Sequence, residues 1–396
     1  MKKLRITDGF VLSGLHMLND GYLACLPLFL PFIRDDIPIS LSQAGFLGSI
    51  LNFSSIVLAF PSAYLGACLG SFHALGFAAL FIFISYLTMF LAQSYTLVLA
   101  AFLAGSIGFG VFHPLAFAAV AKTNGNRLGR EMGHFTANGA IGRIAFSVLL
   151  TFMIAKLSWS STALIYSVLP LAVGIAVLTC RRYRKEAGHY EKKEKKEKIL
   201  CRPPKRLAIL LAAIFFDNFA VISLFLFLPF LFQAKGFDAA IIGSLTGVFF
   251  VGNYMGKIVC GRIMEHKGVK KVFLVAELCL ALTVYSLSVT DDLYMMIVLL
   301  AIMGILSKGT VPVLSTFLAD TAKELEINID GAYSIYSFIT STAQTVSPLV
   351  LGIAAASLGI EKLFVLCAGI SGIAFVTGLF LKEPKKTCPS NGQVQN

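Results

Sequence analysis

Long apolar stretches, broken by Gly, Pro, Asn or isolated charge, fill almost the whole chain. They lie near 7–33, 42–66, 72–91, 95–120, 131–155 and 160–180, and again near 207–233, 240–263, 269–289, 292–319, 329–356 and 360–381. About 20 residues at 1.5 Å per residue suffice to cross a hydrocarbon core of roughly 30 Å. Backbone that enters lipid must satisfy its own hydrogen bonds, so such runs become helices. The pattern predicts an all-α polytopic membrane protein with twelve transmembrane helices in two pseudo-symmetric six-helix bundles. The expected organisation is an N-terminal bundle over 1–180, a basic linker over 181–206, a C-terminal bundle over 207–381 and a tail over 382–396.

Composition agrees with the pattern. The chain is 57% hydrophobic and 14% charged, with a mean hydropathy of +0.80, outside the range of a soluble globular protein. The first run is too long for a signal-peptide core and carries Asp20, so it is read as a retained helix. A net charge of +12 invites a nucleic-acid reading, which the placement of that charge refutes. Twelve of the 33 Lys and Arg fall between Arg181 and Arg206, interleaved with glutamates and without stacking aromatics. The eight cysteines show no Cys-x-x-Cys spacing and are read as small packing residues, with neither a disulfide nor a metal site expected.

Assigning alternate loops to opposite sides places Lys2, Lys3, Arg5, Lys122, Arg127, Arg130, the linker, Arg262, Lys267, Lys270, Lys271 and Lys323 together. The other side receives only Arg34, Lys156, Lys235 and Lys362. Positive charge marks the cytoplasmic side, so both termini and the linker are expected inside, in a bacterial inner (plasma) membrane.

The halves repeat at an offset of 198 residues. That shift pairs Pro31 with Pro229, Gly45 with Gly243, Gly70 with Gly268, Pro114 with Pro312, Gly133 with Gly331 and Gly174 with Gly372, without a gap. Six-helix repeats imply a central cavity at the repeat interface, with access alternating as one half rocks against the other.

Between helices 8 and 9, Gly261-Arg262-Ile263-Met264-Glu265-His266-Lys267-Gly268-Val269-Lys270-Lys271 resembles the G-x-x-x-[DE]-[RKH]-x-G-x-[KR]-[KR] signature of major facilitator superfamily transporters. Within it, His16-x-x-Asn19-Asp20 with Gly108-Phe109-Gly110-Val111-Phe112-His113-Pro114 resembles the fosmidomycin-resistance family of drug efflux proteins. The loop over 63–73 keeps only Gly70 and Ser71 of the signature. Leu115 follows His113-Pro114 where an acid is expected, and helix 5 has Arg143 and no Gly-Pro pair. The resemblance implies the twelve-helix fold and transport.

The chemistry is sought among polar residues near mid-span, where charge is expensive and is retained when it faces a partner or a water-filled path. These are Asn19, Asp20, His113, Arg143, Asp217, Asn218, Asn253, Lys257, Lys308 and Gln344, with His16 one turn before Asp20 as a supporting residue. At the repeat offset Asn19-Asp20 falls on Asp217-Asn218, acid and amide in swapped order. A carboxylate in a poorly hydrated cavity suits proton carriage, so Asp20 and then Asp217 are the expected proton-coupling residues. The alternative is that either acid is permanently paired with Arg143, Lys257 or Lys308 as structural glue.

The remaining residues form the substrate-binding set: His16, Asn19, His113, Asn138, Arg143, Asn218, Asn253, Lys257, Lys308 and Gln344. Their surplus of cations points to an anionic or zwitterionic small molecule. On helix 5 His134 and Asn138 share a face that Arg143 does not, and Arg143 is expected to face the cavity. Pro114, Pro312 and Pro348 each free a carbonyl and, with Gly261, Glu265 and Gly268, are the expected hinge and gating positions, the alternative for the prolines being bends that merely fit the bundle. Tyr333, Ser337, Thr340, Gln344 and Ser347 form a polar stripe that either lines the cavity or glues helices.

The sequence thus reads as a secondary transporter, not an enzyme, without a cofactor and with no metal site. The expected activity is proton-coupled efflux by antiport, as a monomer whose partners are a small-molecule substrate, protons and lipid. Proton-coupled uptake of an organic anion and a non-transporting receptor of the same fold are the rivals. An intramembrane hydrolase built on His16, Asp20 and His113 lacks an activated Ser or Cys. No Walker or Rossmann motif appears.

Overall fold

The computed structural model describes residues 6–121, 128–180, 204–326 and 328–383. The basic linker expected over 181–206 lies outside the described residues except for its last three, as does most of the expected tail. The described chain forms fourteen α-helices: α1 (Ile6–Leu28), α2 (Leu30–Ile33), α3 (Leu41–Val57), α4 (Ala59–Leu69), α5 (Ser71–Phe90), α6 (Tyr95–Ala121) and α7 (Leu128–Lys156), then α8 (Trp159–Thr179), α9 (Lys205–Ala234), α10 (Ala239–Lys267), α11 (Val269–Val289), α12 (Leu293–Glu324), α13 (Ile329–Leu358) and α14 (Ile360–Leu379). Ten of them, α5 to α14, are long and apolar enough to cross a membrane by themselves. The other two spans are broken: α1 continues into α2, and α3 into α4. Twelve spans in two sets of six result.

The breaks correct the expected unbroken runs 7–33 and 42–66, and proline explains both. Pro31 has no N–H for the carbonyl of Pro27, and Pro61 none for that of Val57, so the helix is interrupted just after those carbonyls, at Phe29 and Leu58. The chain still turns helically there: Leu58 N–H donates to the Ser54 carbonyl at 2.8 Å and Ser62 N–H to the Leu58 carbonyl at 2.9 Å. Pro114, Pro312 and Pro348, the expected hinges, lie inside helices that continue through them. Helices α10 and α12 run on to Lys267 and Glu324, beyond the expected 263 and 319, because polar last turns project past the apolar run.

Serine and aspartate start several spans. Ser40 and Gln43 form a reciprocal capping box on α3, and Asp238 and Asp292 accept from the third residue of α10 and α12. The repeat is visible in the backbone. Gly70 (φ 83°) and Gly268 (φ 86°), one repeat apart, both join helices in a conformation reserved for glycine. At Gly268 the turn is secured by a residue the sequence reading left in the tail: Glu383 accepts from Val269 N–H at 2.8 Å and Lys270 N–H at 3.0 Å, capping α11. Glu265, the expected gating acid of this loop, is exposed. Arg206 pairs with Glu324 on the same side.

In the first half α1 packs against α7 and α6, and α5 against α6 and α8. In the second half α11 and α9 pack against α14, and α10 against α12. A tyrosine ladder fixes α1: Tyr22 donates to the Tyr166 carbonyl, Tyr86 to the Tyr22 carbonyl and Tyr166 to the Phe146 carbonyl, each at 2.7 Å. The Gly252-x-x-x-Gly256 motif brings α10 against α12, where a methyl at Gly252 would stand 2.6 Å from the Ala301 carbonyl oxygen.

The halves meet through α3 with α13 and α7 with α10, helix pairs exchanged by the repeat. The close approaches and hydrogen bonds between them lie towards the end away from the linker, as at Gly45 with Gly352 and Gly243 with Thr151. Ser42 donates to the Gly352 carbonyl, Gln233 to the Pro31 carbonyl, and Arg34 stacks over Phe230. One apolar core spans both halves at this far end, whereas towards the linker each half has a separate core, around Leu75 and Phe112 in the first and around Phe273 and Phe317 in the second. The molecule is therefore sealed at the far end and parted on the linker side. At the seal a side chain on Gly45 would meet the Pro348 carbonyl and stand 2.9 Å from Gly352 Cα. Overpacking of this kind costs about 1–3 kcal/mol, so Gly45→Val is expected to shift the balance towards the far-open state by roughly 5- to 150-fold. An impermeant thiol reagent applied from the far side to a Ser42→Cys protein measures this; unchanged labelling would show that Gly45 does not govern the seal.

Candidate functional site

Between the halves lies a cavity of about 580 Å³, walled by α1, α3, α6 and α7 on one side and α9, α10, α12 and α13 on the other. Its floor is apolar, from Leu23, Pro27, Leu51, Val221, Phe225 and Phe249. Its polar groups are Asn52, Ser55, His113, Arg143, Asn253, Lys308 and Gln344. Five of the expected substrate-binding residues thus line the cavity, His113 and Arg143 from the first half and Asn253, Lys308 and Gln344 from the second. Asn253 accepts from Ser307 Oγ at 2.8 Å, and Gln344 donates to Asn218 Oδ1 at 3.0 Å, which holds both amides in place.

Behind His113 and Arg143 the first half holds a buried polar cluster. Asp20, its side chain only 6% exposed, receives Arg143 Nη2 at 2.8 Å and Nε at 3.1 Å on Oδ2. Oδ1 faces His113 Nε2 at 3.0 Å, His16 Nε2 at 3.3 Å and Asn19 Nδ2 at 3.3 Å. His16 is itself fixed: Nδ1 donates to the Phe135 carbonyl at 2.7 Å, and its ring stacks on Phe135 with centroids 4.0 Å apart. Glycines on α7 make room, since a methyl at Gly139 would stand 2.6 Å from the His16 ring. The structural alternative foreseen for Asp20 is therefore present as a geometry: the acid is paired with Arg143. His16, Asp20 and His113 are also a group whose donor atoms all lie within 4.8 Å of one another, spacing that could hold a metal ion. Arg143 already occupies the second carboxylate oxygen with a fixed positive charge, which opposes a further cation beside the same carboxylate.

The other expected residues are placed differently. Asn138 donates back to the His134 carbonyl of its own helix at 2.8 Å and is absent from the cavity wall, which Arg143 joins. Lys257 is exposed one turn beyond Asn253, within electrostatic reach of Arg143 and Asp20. His16 and Asn19 are buried behind the wall. The stripe on α13 divides: Gln344 faces the cavity, while Ser347 bonds Ser223 and the Phe219 carbonyl, and Tyr333 donates to the Ser315 carbonyl across to α12.

The swapped order of acid and amide has a structural consequence. Asp20 corresponds to Asn218, which faces Gln344, whereas Asp217 corresponds to Asn19 and points into its own bundle. There it lies beside Glu277 of α11, Thr310 and Lys308 of α12. Sequence reading passed over Glu277, although the same signal, a lone acid in an apolar run, marks it. Its helix, α11, contributes no residue to the cavity wall.

Twelve spans in two repeated halves, with polar residues of both halves meeting in one cavity at their joint, define a membrane transporter architecture. The chain belongs to the major facilitator superfamily, whose family model matches residues 12–240 and again 210–395. The match is to the superfamily as a whole and does not reach the fosmidomycin-resistance family. No curated protein matches by sequence. Among solved structures, a bacterial homologue of the human lysosomal transporter Spinster, inward-facing and occupied, is similar at a TM-score of 0.76 and 13% identity, over 96% of this chain and 97% of that one. The nucleoside transporter NupG, in a point-mutant form, is similar at a TM-score of 0.77 and 11% identity, over 93% of this chain and 99% of that one. At such identities these likenesses establish the fold.

Proposed function

We propose that the protein is a proton-coupled secondary transporter of a small organic anion, in which anion and proton move together by alternating access. One observation carries the reading: each cation on the cavity wall has a carboxyl group within reach in its own half, Arg143 with Asp20 and Lys308 with Asp217. A proton on Asp20 releases Arg143 to hold a carboxylate, phosphate or phosphonate, and a proton at Asp217 leaves more of the Lys308 charge uncompensated for the same anion; departure of the proton reverses both. Arg143 offers a planar fork for bidentate binding, Lys308 a point charge, and Asn253 and Gln344 neutral donors. His113, in contact with both Asp20 and the cavity, is the path by which a proton reaches Asp20. The protein works as a monomer, with both termini and the linker cytoplasmic in a bacterial inner membrane, as the distribution of Lys and Arg supports. The parted side is then the cytoplasmic one.

The test uses purified protein in vesicles with an imposed pH gradient and a panel of carboxylates and phosphonates, preselected by thermal stabilisation. Co-movement accumulates substrate in the compartment of lower proton concentration. Accumulation where protons are more concentrated would show exchange, hence efflux, as the likeness of His16-x-x-Asn19-Asp20 to drug efflux proteins implies. No gradient-driven movement of any compound would favour the receptor reading.

A further inference from the structure

The second half contains a buried acid pair that no cavity function uses. Glu277 is fully buried at mid-span of α11, and Asp217 is 3% exposed on α9. The two carboxyl groups are close enough to act on each other. Asp217 Oδ2 accepts from Asn218 Nδ2 at 3.1 Å, and the Thr310 hydroxyl lies near enough to act on the Asp217 carboxyl, whereas both Glu277 oxygens find no donor. Buried polar atoms are almost always satisfied, and an unpaired buried charge is costly. Two carboxylates in one dry site repel, whereas a carboxyl and a carboxylate sharing a proton attract, and that proton supplies the missing donor.

We infer that Asp217 and Glu277 share one proton and form a proton-binding site in the second half. The ligand class follows from the donors: two carboxyl groups and one hydroxyl fall short of the roughly six oxygens a hard metal cation takes. Asp217 interacts with Lys308 of α12 and Tyr336 of α13, and the group that acts on Glu277 is Asp217 itself. From α14, packed against both α9 and α11, the titratable groups are Glu361, Lys362 and Cys367, and from α10 they include Lys257; none of these acts on the pair. With one shared proton the pair and Lys308 together are neutral, and after its loss they carry one negative charge. The site thus sets the charge beside Lys308, which faces the cavity. Proton and substrate anion therefore favour each other's binding there.

That last step rests on the proposed function; the shared proton does not. The difference arises from the swap of acid and amide. At the repeat offset Glu277 corresponds to Ala79 and Lys308 to Gly110, so the first half has no such pair.

Infrared difference spectra of the full-length protein in lipid discs across a pH step test the site without any substrate. The expected result is a protonated-carboxyl C=O band that disappears with release of one proton per protein. Carbon-13 labelling of Asp or Glu carboxyls should shift the band in unmutated protein, which keeps the assignment independent of whether variants fold. Glu277→Gln and Asp217→Asn should each abolish it, and Asp20→Asn should leave it. A spectrum in which all carboxyl groups are ionised throughout, or a band removed by Asp20→Asn alone, would overturn the inference. If the band is found but vesicles show no proton-linked transport, the site stands and the proposed coupling falls.

Discussion

Arg143→Ala is expected to lower kcat/KM for an organic anion by about two orders of magnitude and to destabilise the protein as well. Breaking a fully buried ion pair costs about 3–5 kcal/mol, chiefly by stranding the remaining charge. Arg143 keeps 34% of its side chain open to the cavity, against 6% for Asp20, so water screens the pair in part and about 2–3 kcal/mol is the better figure. Asp20 would keep His113 and His16 but lose both guanidinium contacts. The double variant Asp20→Asn/Arg143→Ala separates the two roles of Arg143. It removes the stranded charge, so thermal stability should return towards the parent while anion transport stays lost. Recovery of both would make Arg143 a structural counter-ion and nothing more.

Gly142→Val is expected to prevent assembly of the first half, at a cost of about 3 kcal/mol or more. A side chain there would collide with the Met17 carbonyl of α1, with Met17 Cα at 3.0 Å, and backbone cannot step aside as a side chain can. Helices α1 and α7 would separate at the level of Asp20 and Arg143, which lie on these two helices. Gly14→Val is the matched control, since Gly14 is on α1 with nothing within 4 Å of an added methyl. Thermal unfolding and the monodisperse yield of the two variants measure the difference. Equal yield and stability would show that the α1–α7 contact tolerates a full side chain.

These two residues also show how far sequence reading reaches. Arg143 was legible as a charge in an apolar run, and its direction followed from helical geometry, because lipid penalises charge whichever protein carries it. Which acid it pairs with, Asp20 or Asp217, was left open. Asp20 lies 123 residues away, and their meeting depends on how α1 and α7 rotate about their axes. Gly142 stands in a stretch whose glycine content was evident, but which glycine touches backbone is decided only by the crossing of two helices. Glu277 carried the same signal as Asp20, and its importance emerged only from the neighbour it meets. Glu383 looked like tail and caps α11, since nothing in its local sequence indicates where the chain turns back.

What the sequence by itself determined is the set of quantities fixed one segment at a time. These are twelve spans, the repeat at 198 residues, the polarity of the loops and the short list of mid-span polar residues. Each follows from the transfer of one helix into lipid, where its backbone is self-satisfied and its side chains are ranked by cost. Only the tertiary structure decided the properties that belong to pairs of helices: that Asp20 is held by Arg143 and two histidines, that Asp217 turns away from the cavity towards Glu277, and that the halves close at Gly45 and Gly352 and part towards the linker. Lipid tails are as apolar as the side chains they touch, so hydrophobicity cannot choose among helix partners. Close packing at glycines and the pairing of buried polar groups make that choice, and both join residues far apart in the chain.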